Sequence, residues 1–265
     1  MEKVNNNRAD FRRKLRSRQK VFGGWTSLAH PSITEIFTRS GMDFVGIDIE
    51  HSTISLEQSQ NIIATCQANG KLCLPRIASH NMEAIKRLLD SGADGIILPM
   101  VSTPQEVENF ISWSKYSPKG KRSFGIARAQ GYGRDFADYV KEANDSISLI
   151  IQIESIEGVE NIDRILAYDE IDGVMVGPYD LSGSLGLPGQ LDHPRVTEAC
   201  KKVIEACSKN NKACGTQDID PTEDSVKKAL AAGHTFIVLA SDVFLLWKWS
   251  ERMKDIIEKI GWGSS

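Results

Sequence analysis

The chain lacks several things, and each absence removes a class of answer. No apolar run in its 265 residues approaches the roughly 20 needed to cross a bilayer. Its N-terminus has no apolar core of the kind a secretory signal carries. A cytoplasmic protein without a membrane partner is therefore expected. Charge is nearly balanced, at −3, which gives no pull toward nucleic acid. Cysteine is scarce, and the 5 present form no Cys-x-x-Cys and leave an odd one over. That pattern predicts reduced, buried thiols rather than a disulfide framework. No Gly-x-Gly-x-x-Gly follows the first predicted strand, which counts against a dinucleotide-binding fold.

What is present is a repeat. Residues 1–20 read as a basic lead-in helix, with Phe11 and Leu15 four apart and a solvated face of Arg8, Arg12, Arg13, Lys14, Arg16, Arg18 and Lys20. Short apolar strands follow at 21–28, 44–51, 72–77, 95–101, 147–155, 173–181, 212–217 and 235–240, alternating with amphipathic helices. Only residues 116–144, with Pro118, Gly120, Gly125, Gly131 and Gly133, break the rhythm, and an amphipathic helix closes the chain at 244–260. GMDFVGID, GADGIILP, IDGVMVGP and AGHTFIVL share one grammar, a small or turn residue and then an apolar strand. Eight βα units in a chain of this length predict an α/β protein, a single-domain (β/α)8 barrel over 21–265 with an extended C-terminal helix.

In such a barrel the C-terminal strand ends build the active site. Those ends carry Trp25 and Ser27, then Asp48, Glu50 and His51, then Arg76 and Pro99. They continue with Gln152 and Glu154, Tyr179 and Asp180, Thr216 and Gln217, and Ser241 and Asp242. The N-terminal ends show nothing comparable. Gln152 and Glu154 sit two apart, so amide and carboxylate project to one side. Glu154 and Asp180 end consecutive strands, and two neighbouring carboxylates without a His or Cys cluster suit Mg2+ or Mn2+. Alternatively, Asp180 caps the helix that follows it. His51, beside acids, is a candidate base. Arg76 is a candidate cation for a carboxylate or an enolate oxygen, or else a salt bridge across the mouth. Asp90, closing the third helix, reads as a surface acid. Lys71 and Lys212 precede strands and no strand end carries a lysine, so Schiff-base chemistry is disfavoured.

The motifs IDIEH (47–51), PRI (75–77), RLLDSGADGIILPMV (87–101), QIES (152–155) and GPYDLSGSLG (177–186) occur in order. With these, nearly the whole chain resembles the metal-dependent, pyruvate-specific class II aldolases of the 4-hydroxy-2-oxoheptanedioate and 2-dehydro-3-deoxyglucarate aldolase family. The resemblance implies a lyase joining pyruvate to an aldehyde. It implies Glu154 and Asp180 as ligands of Mg2+ or Mn2+, with Co2+ a further candidate. It implies His51 as base, oriented by Asp48 and paired with Asp90. Arg76 and Gln152 would line the pyruvate pocket, and the backbone at Tyr179 and Asp180 would receive the carboxylate. It also implies a homohexamer that exchanges C-terminal helices.

Two departures stand out. Ile49 occupies a position that is usually glycine in the family. GTQD (215–218) is more polar than the usual apolar pair, so Thr216 and Gln217 are expected to select a hydroxylated aldehyde. The rival readings are a CoA-ester lyase of malyl or citryl type and a non-catalytic barrel that binds a 2-oxo acid.

Overall fold

Local chemistry sets the element boundaries. Ser55, Thr103 and Thr222 each close a capping box at a helix start, and Pro31, Pro104, Pro178 and Pro194 open first turns, where the missing N–H costs nothing. The computed structural model describes residues 2–261; residue 1 and residues 262–265 of the expected segments lie outside the described residues. The strands are β1 (Val21–Thr26), β2 (Phe44–Asp48), β3 (Leu72–Arg76), β4 (Gly95–Leu98), β5 (Ser148–Ile153), β6 (Gly173–Val176), β7 (Ala213–Asp218) and β8 (Phe236–Ser241). All pair in parallel, in sequence order, and β8 returns to β1 to close the barrel.

The first six helices are α1 (Glu2–Arg16), α2 (Pro31–Thr38), α3 (Leu56–Ala68), α4 (Met82–Asp90), α5 (Pro104–Ser114) and α6 (Phe136–Ser146). The rest are α7 (Ile156–Glu160), α8 (Ile162–Leu166), α9 (Pro178–Ser184), α10 (Pro194–Lys209), α11 (Glu223–Ala231) and α12 (Asp242–Lys259). The (β/α)8 expectation holds. None of the described helices is long and apolar enough to cross a membrane. Several expected strands end earlier, among them β1, β2, β4 and β5, and the largest change is in β6: it stops at Val176, and Pro178 starts α9, so Tyr179 and Asp180 stand on a helical turn.

Strand alternation sorts the core in two. Ile151, Val174 and Cys214 pack outward beneath the helices, while Trp25, Phe44, Leu74, Ile150, Met175 and Phe236 fill the barrel interior. Glycine at 46 makes the filling possible. A Cβ there would lie 2.3 Å from the Trp25 ring, so any larger residue would expel the indole. Phe11 and Leu15 of α1 plug the N-terminal end, 3% and 1% exposed.

That end corrects two expectations. The N-terminal strand ends do carry chemistry, because the turn residues of the repeat are acids with partners. Asp43, Asp94, Asp172 and Thr235 each precede an even-numbered strand. Each accepts the backbone N–H of the preceding odd strand, from Phe22, Cys73, Leu149 and Cys214 at 3.0, 2.8, 3.0 and 3.1 Å. The other oxygens of the three acids take α1. Lys14 reaches Asp43 at 2.9 Å, Arg8 reaches Asp94, and Arg12 and Arg16 reach Asp172 at 2.9 and 2.6 Å. Arg8 and Arg12 are therefore buried rather than solvated. A buried guanidinium needs such a partner, and the N-terminal ends of these strands offer it.

Candidate active site

At the opposite end, alternation carries the interior face out to the mouth. Phe44 and Gly46 put Asp48 on that face, Leu72 and Leu74 put Arg76 there, and Ile150 puts Gln152 there. β2 and β3 pair Asp48 with Arg76 directly.

Arg76 is 8% exposed and held by Asp48, Glu50, Gln152 and Trp25. Its Nη2 lies 2.8 Å from Asp48 Oδ1, and its Nε donates to the same oxygen at 3.1 Å. Its Nη1 is 3.2 Å from Glu50 Oε2 and donates to Gln152 Oε1 at 3.4 Å. The guanidinium sits 5.1 Å from the centre of the Trp25 ring, within cation–π range. Such a fork is oriented before any ligand arrives.

Glu154 is 5% exposed. Its Oε1 accepts from Gln152 Nε2 at 3.0 Å, and its Oε2 accepts the Met100 N–H, also at 3.0 Å. Glycine at 177 leaves room for it, since a Cβ there would fall 2.4 Å from Oε1. Burial pushes the Glu154 carboxyl up to about 7, and repulsion from Glu50 and Asp180 adds to the rise; the Met100 N–H and Arg76 oppose it. Glu50 is also raised, first by burial, with Arg76 pulling it back. A raised carboxyl ringed by further acids is an environment short of positive charge.

Asp180 stands in the first turn of α9, exposed, and no side chain caps that helix, so the capping reading of Asp180 does not apply. Tyr179 beside it is also exposed. The His51 side chain is 69% exposed at the rim, with Nε2 3.8 Å from Glu50 Oε2; its backbone N–H donates to Asp48 Oδ1 at 3.2 Å.

The structure thus gathers Asp48, Arg76, Gln152, Glu154 and Trp25, with His51 and Asp180 at the rim of the same group. Others it separates. Within the chain Asp90 has another partner: its Oδ1 accepts from Arg122 Nη2 at 2.6 Å, a buried arginine of the 116–144 interval that also stacks on Tyr116. Thr216 and Gln217 diverge as neighbours on a strand must. Gln217 shares the interior face of Ala213, and Thr216 the outward face of Cys214. Asp242 is committed to structure, accepting from Thr26 Oγ1 at 2.8 Å and from the backbone of Ser27 and Leu28.

Two participants went unassigned in the sequence. Glu50 was visible beside His51, but only its contact with Arg76 gives it a place. The Met100 N–H leaves no trace in side-chain pattern at all. The residue adopts φ of 54°, unusual for a non-glycine, and this conformation accompanies the bond from its N–H to Glu154.

A family model described as HpcH/HpaI aldolase/citrate lyase matches residues 22–248. The chain belongs to this family. A 5-keto-4-deoxy-D-glucarate aldolase from Shigella dysenteriae is 30% identical over 94% of this chain and 96% of its own. An HpcH/HpaI aldolase/citrate lyase family protein from Burkholderia cenocepacia superimposes with a TM-score of 0.88 at 27% identity, covering 94% of this chain and 99% of that one. A citrate synthase structure follows at TM-score 0.83 and 28% identity, covering 94% and 98%. Membership of the HpcH/HpaI family bears out the expected carbon–carbon lyase of aldolase type.

Proposed function

We propose that the barrel mouth cleaves and forms the bond between pyruvate's methyl carbon and an aldehyde, with Glu154 and Asp180 holding a divalent cation. One observation carries the reading: Glu154 is buried beside Glu50 and Asp180 and its carboxyl is pushed up to about 7, which a bound cation would reverse. The donor set fits. Both ligands are carboxylates, suited to Mg2+, Mn2+ or Co2+. Among the described residues no three His, Cys, Asp or Glu side chains are disposed around one metal position, so water and a chelating 2-oxo acid would complete the shell. When bound, the cation supplies Lewis acidity that polarises the substrate ketone.

The chain's own residues do the rest. In the cleavage direction His51, at the open rim, takes the proton from the substrate's 4-hydroxyl oxygen. The carbon–carbon bond then breaks, its electron pair passes into the enolate, and the aldehyde leaves. Arg76, fixed by Asp48 and Glu50, faces the developing enolate oxygen with a charge that need not reorganise. Gln152 spaces Arg76 from Glu154 by contacting both. The backbone at Tyr179 and Asp180 would take the pyruvate carboxylate, and Trp25 forms the apolar wall.

Deuterium uptake into pyruvate's methyl group, followed by proton NMR in D2O, tests the reading without choosing an aldehyde. Uptake is expected with Mn2+ or Mg2+, is expected to vanish with EDTA, and should fall at least ~100-fold in Glu154→Ala and in His51→Ala. A folded, cation-loaded protein that exchanges nothing would sink it. The likeness to a citrate synthase supports a second reading, a lyase or synthase acting on a citrate-like skeleton. Turnover of citrate or a CoA thioester without pyruvate exchange would favour that one.

Gln217, on the interior face, is the better candidate for contact with a hydroxylated aldehyde. Gln217→Leu is expected to lower the kcat/KM ratio of hydroxylated over plain aldehydes by about tenfold. An unchanged ratio would remove the residue from acceptor choice.

Assembly through α12 belongs to the same proposal. Leu245, Leu246, Trp247, Trp249, Met253 and Ile256 are all exposed on it, more apolar surface than one helix of a monomer leaves to water. A homohexamer exchanging this helix would cover it, and light scattering on the purified chain reads the mass directly.

A further inference from the structure

The bond from Met100 to Glu154 is one side of a peptide unit whose other side is also held. The carbonyl of that unit, Pro99 C=O, accepts from His80 Nε2 at 2.6 Å. A carbonyl can only accept, so Nε2 carries the proton. His80 is three-quarters buried in the β3–α4 loop, and its Nδ1 faces Glu106 Oε1 at 3.6 Å. Glu106 is itself fixed, its Oε2 accepting from the backbone of Ser102 and Thr103 at 2.8 Å each. The next N–H along the chain, from Val101, is tied to Gln152 O at 3.0 Å. The Pro99–Met100 peptide is therefore clamped between an imidazole on its oxygen and a carboxylate on its nitrogen. The left-handed backbone of Met100, with φ of 54°, is the conformation in which both contacts are made.

We infer that His80 is a positioning residue for Glu154: by holding Pro99 C=O it keeps the Met100 N–H turned toward the Glu154 carboxylate, and so fixes the orientation in which that carboxylate meets a divalent cation. The inference rests on the cation site proposed above for its second half only. Without the imidazole, no other hydrogen bond to the Pro99 carbonyl among the described residues opposes rotation of the peptide toward the backbone conformation that a non-glycine residue prefers. The Met100 N–H would then turn away, and Glu154 would keep Gln152 Nε2 as its one donor. Hydrogen-bond partners of a metal ligand act in this way, setting its orientation rather than touching the ion.

The test separates the two halves. Labelling with 15N-methionine gives a small set of amide signals, in which Met100 is identified by its loss in Met100→Leu. In the metal-free protein, His80→Leu is expected to speed hydrogen exchange at Met100 by about tenfold against the other methionine amides, and His80→Gln, which can still donate to the carbonyl, should restore most of the protection. In parallel, Mn2+ affinity by calorimetry should weaken about tenfold in His80→Leu and recover in His80→Gln. Unchanged Met100 exchange in a folded His80→Leu protein overturns the inference, whatever happens to Mn2+. If exchange responds as expected but the wild-type protein binds no Mn2+, the peptide clamp is supported and the cation reading fails. If exchange responds and Mn2+ affinity stays level, the clamp is supported and its effect on the ligand is overturned.

Discussion

Arg76→Lys is expected to lower kcat for aldol cleavage by about 10²–10³-fold with little change in KM. Lysine keeps the charge but offers one ammonium where the structure uses a planar fork. Asp48 takes the Nε and Nη2 edge of Arg76, Glu50 and Gln152 share its Nη1, and its flat face lies over Trp25. A single ammonium cannot satisfy Asp48 and Glu50 together and still face an oxyanion. The loss should fall on kcat because the interaction strengthens only as charge builds on the enolate oxygen. Steady-state kinetics of the cation-loaded enzyme decide the matter. An Arg76→Lys enzyme that keeps more than about a tenth of wild-type kcat would remove Arg76 from transition-state stabilisation. An increase confined to KM would reassign it to ground-state binding of the substrate carboxylate.

The largest effect on stability should come from the other end of the barrel. Asp172 is fully buried and accepts from Arg12, Arg16 and the Leu149 N–H. Asp172→Ala takes the close, buried counter-charge from Arg12, which then faces only the exposed Asp145 at 4.0 Å, and leaves a strand N–H without an acceptor. A loss of about 3–5 kcal/mol is expected, read as a lower urea midpoint. Asp163→Ala, in α8 and without such contacts, should stay within about 0.5 kcal/mol. Activity per folded molecule should be nearly normal in both, because neither residue lies at the mouth. Equal midpoints for the two variants would mean that α1 is an appendage rather than part of the barrel.

The barrel was legible because its signals are local. Apolar strands recur between capped helices, and each boundary needs only a few neighbouring residues to declare itself. The mouth was legible for a related reason: at a period of two, Asp48 and Gln152 inherit the direction of the apolar residues behind them, and Arg76 follows Leu74 in the same way. What escaped notice depends on distance or on backbone. Asp43, Asp94 and Asp172 look like turn residues, and nothing near Asp172 announces a partner 160 positions away. Asp90 lies beside residues that suggest an exposed helix end, yet its partner comes from the irregular stretch at Arg122. The Val176–Pro178 boundary was hidden because an apolar strand running into Gly-Pro reads equally well as a longer strand. Thr216 and Gln217 sit side by side in sequence, but strand alternation sends them to opposite faces of β7. Glu154 is legible from its strand, but the peptide that aims it is not, since an amide N–H belongs to every residue but proline.

The anchoring of α1 also bears on synthesis. Its partners are Asp43, Asp94 and Asp172, and the adjoining Arg18 donates to the carbonyls of Lys212 and Gly233. As the chain leaves the ribosome, the first helix emerges well before most of these sites exist. Its arginines must wait in water while most of the strands are made, and Phe11 and Leu15 must stay unburied for the same interval. Docking of α1 is thus a late event, because it waits on strands that follow it by up to some two hundred positions.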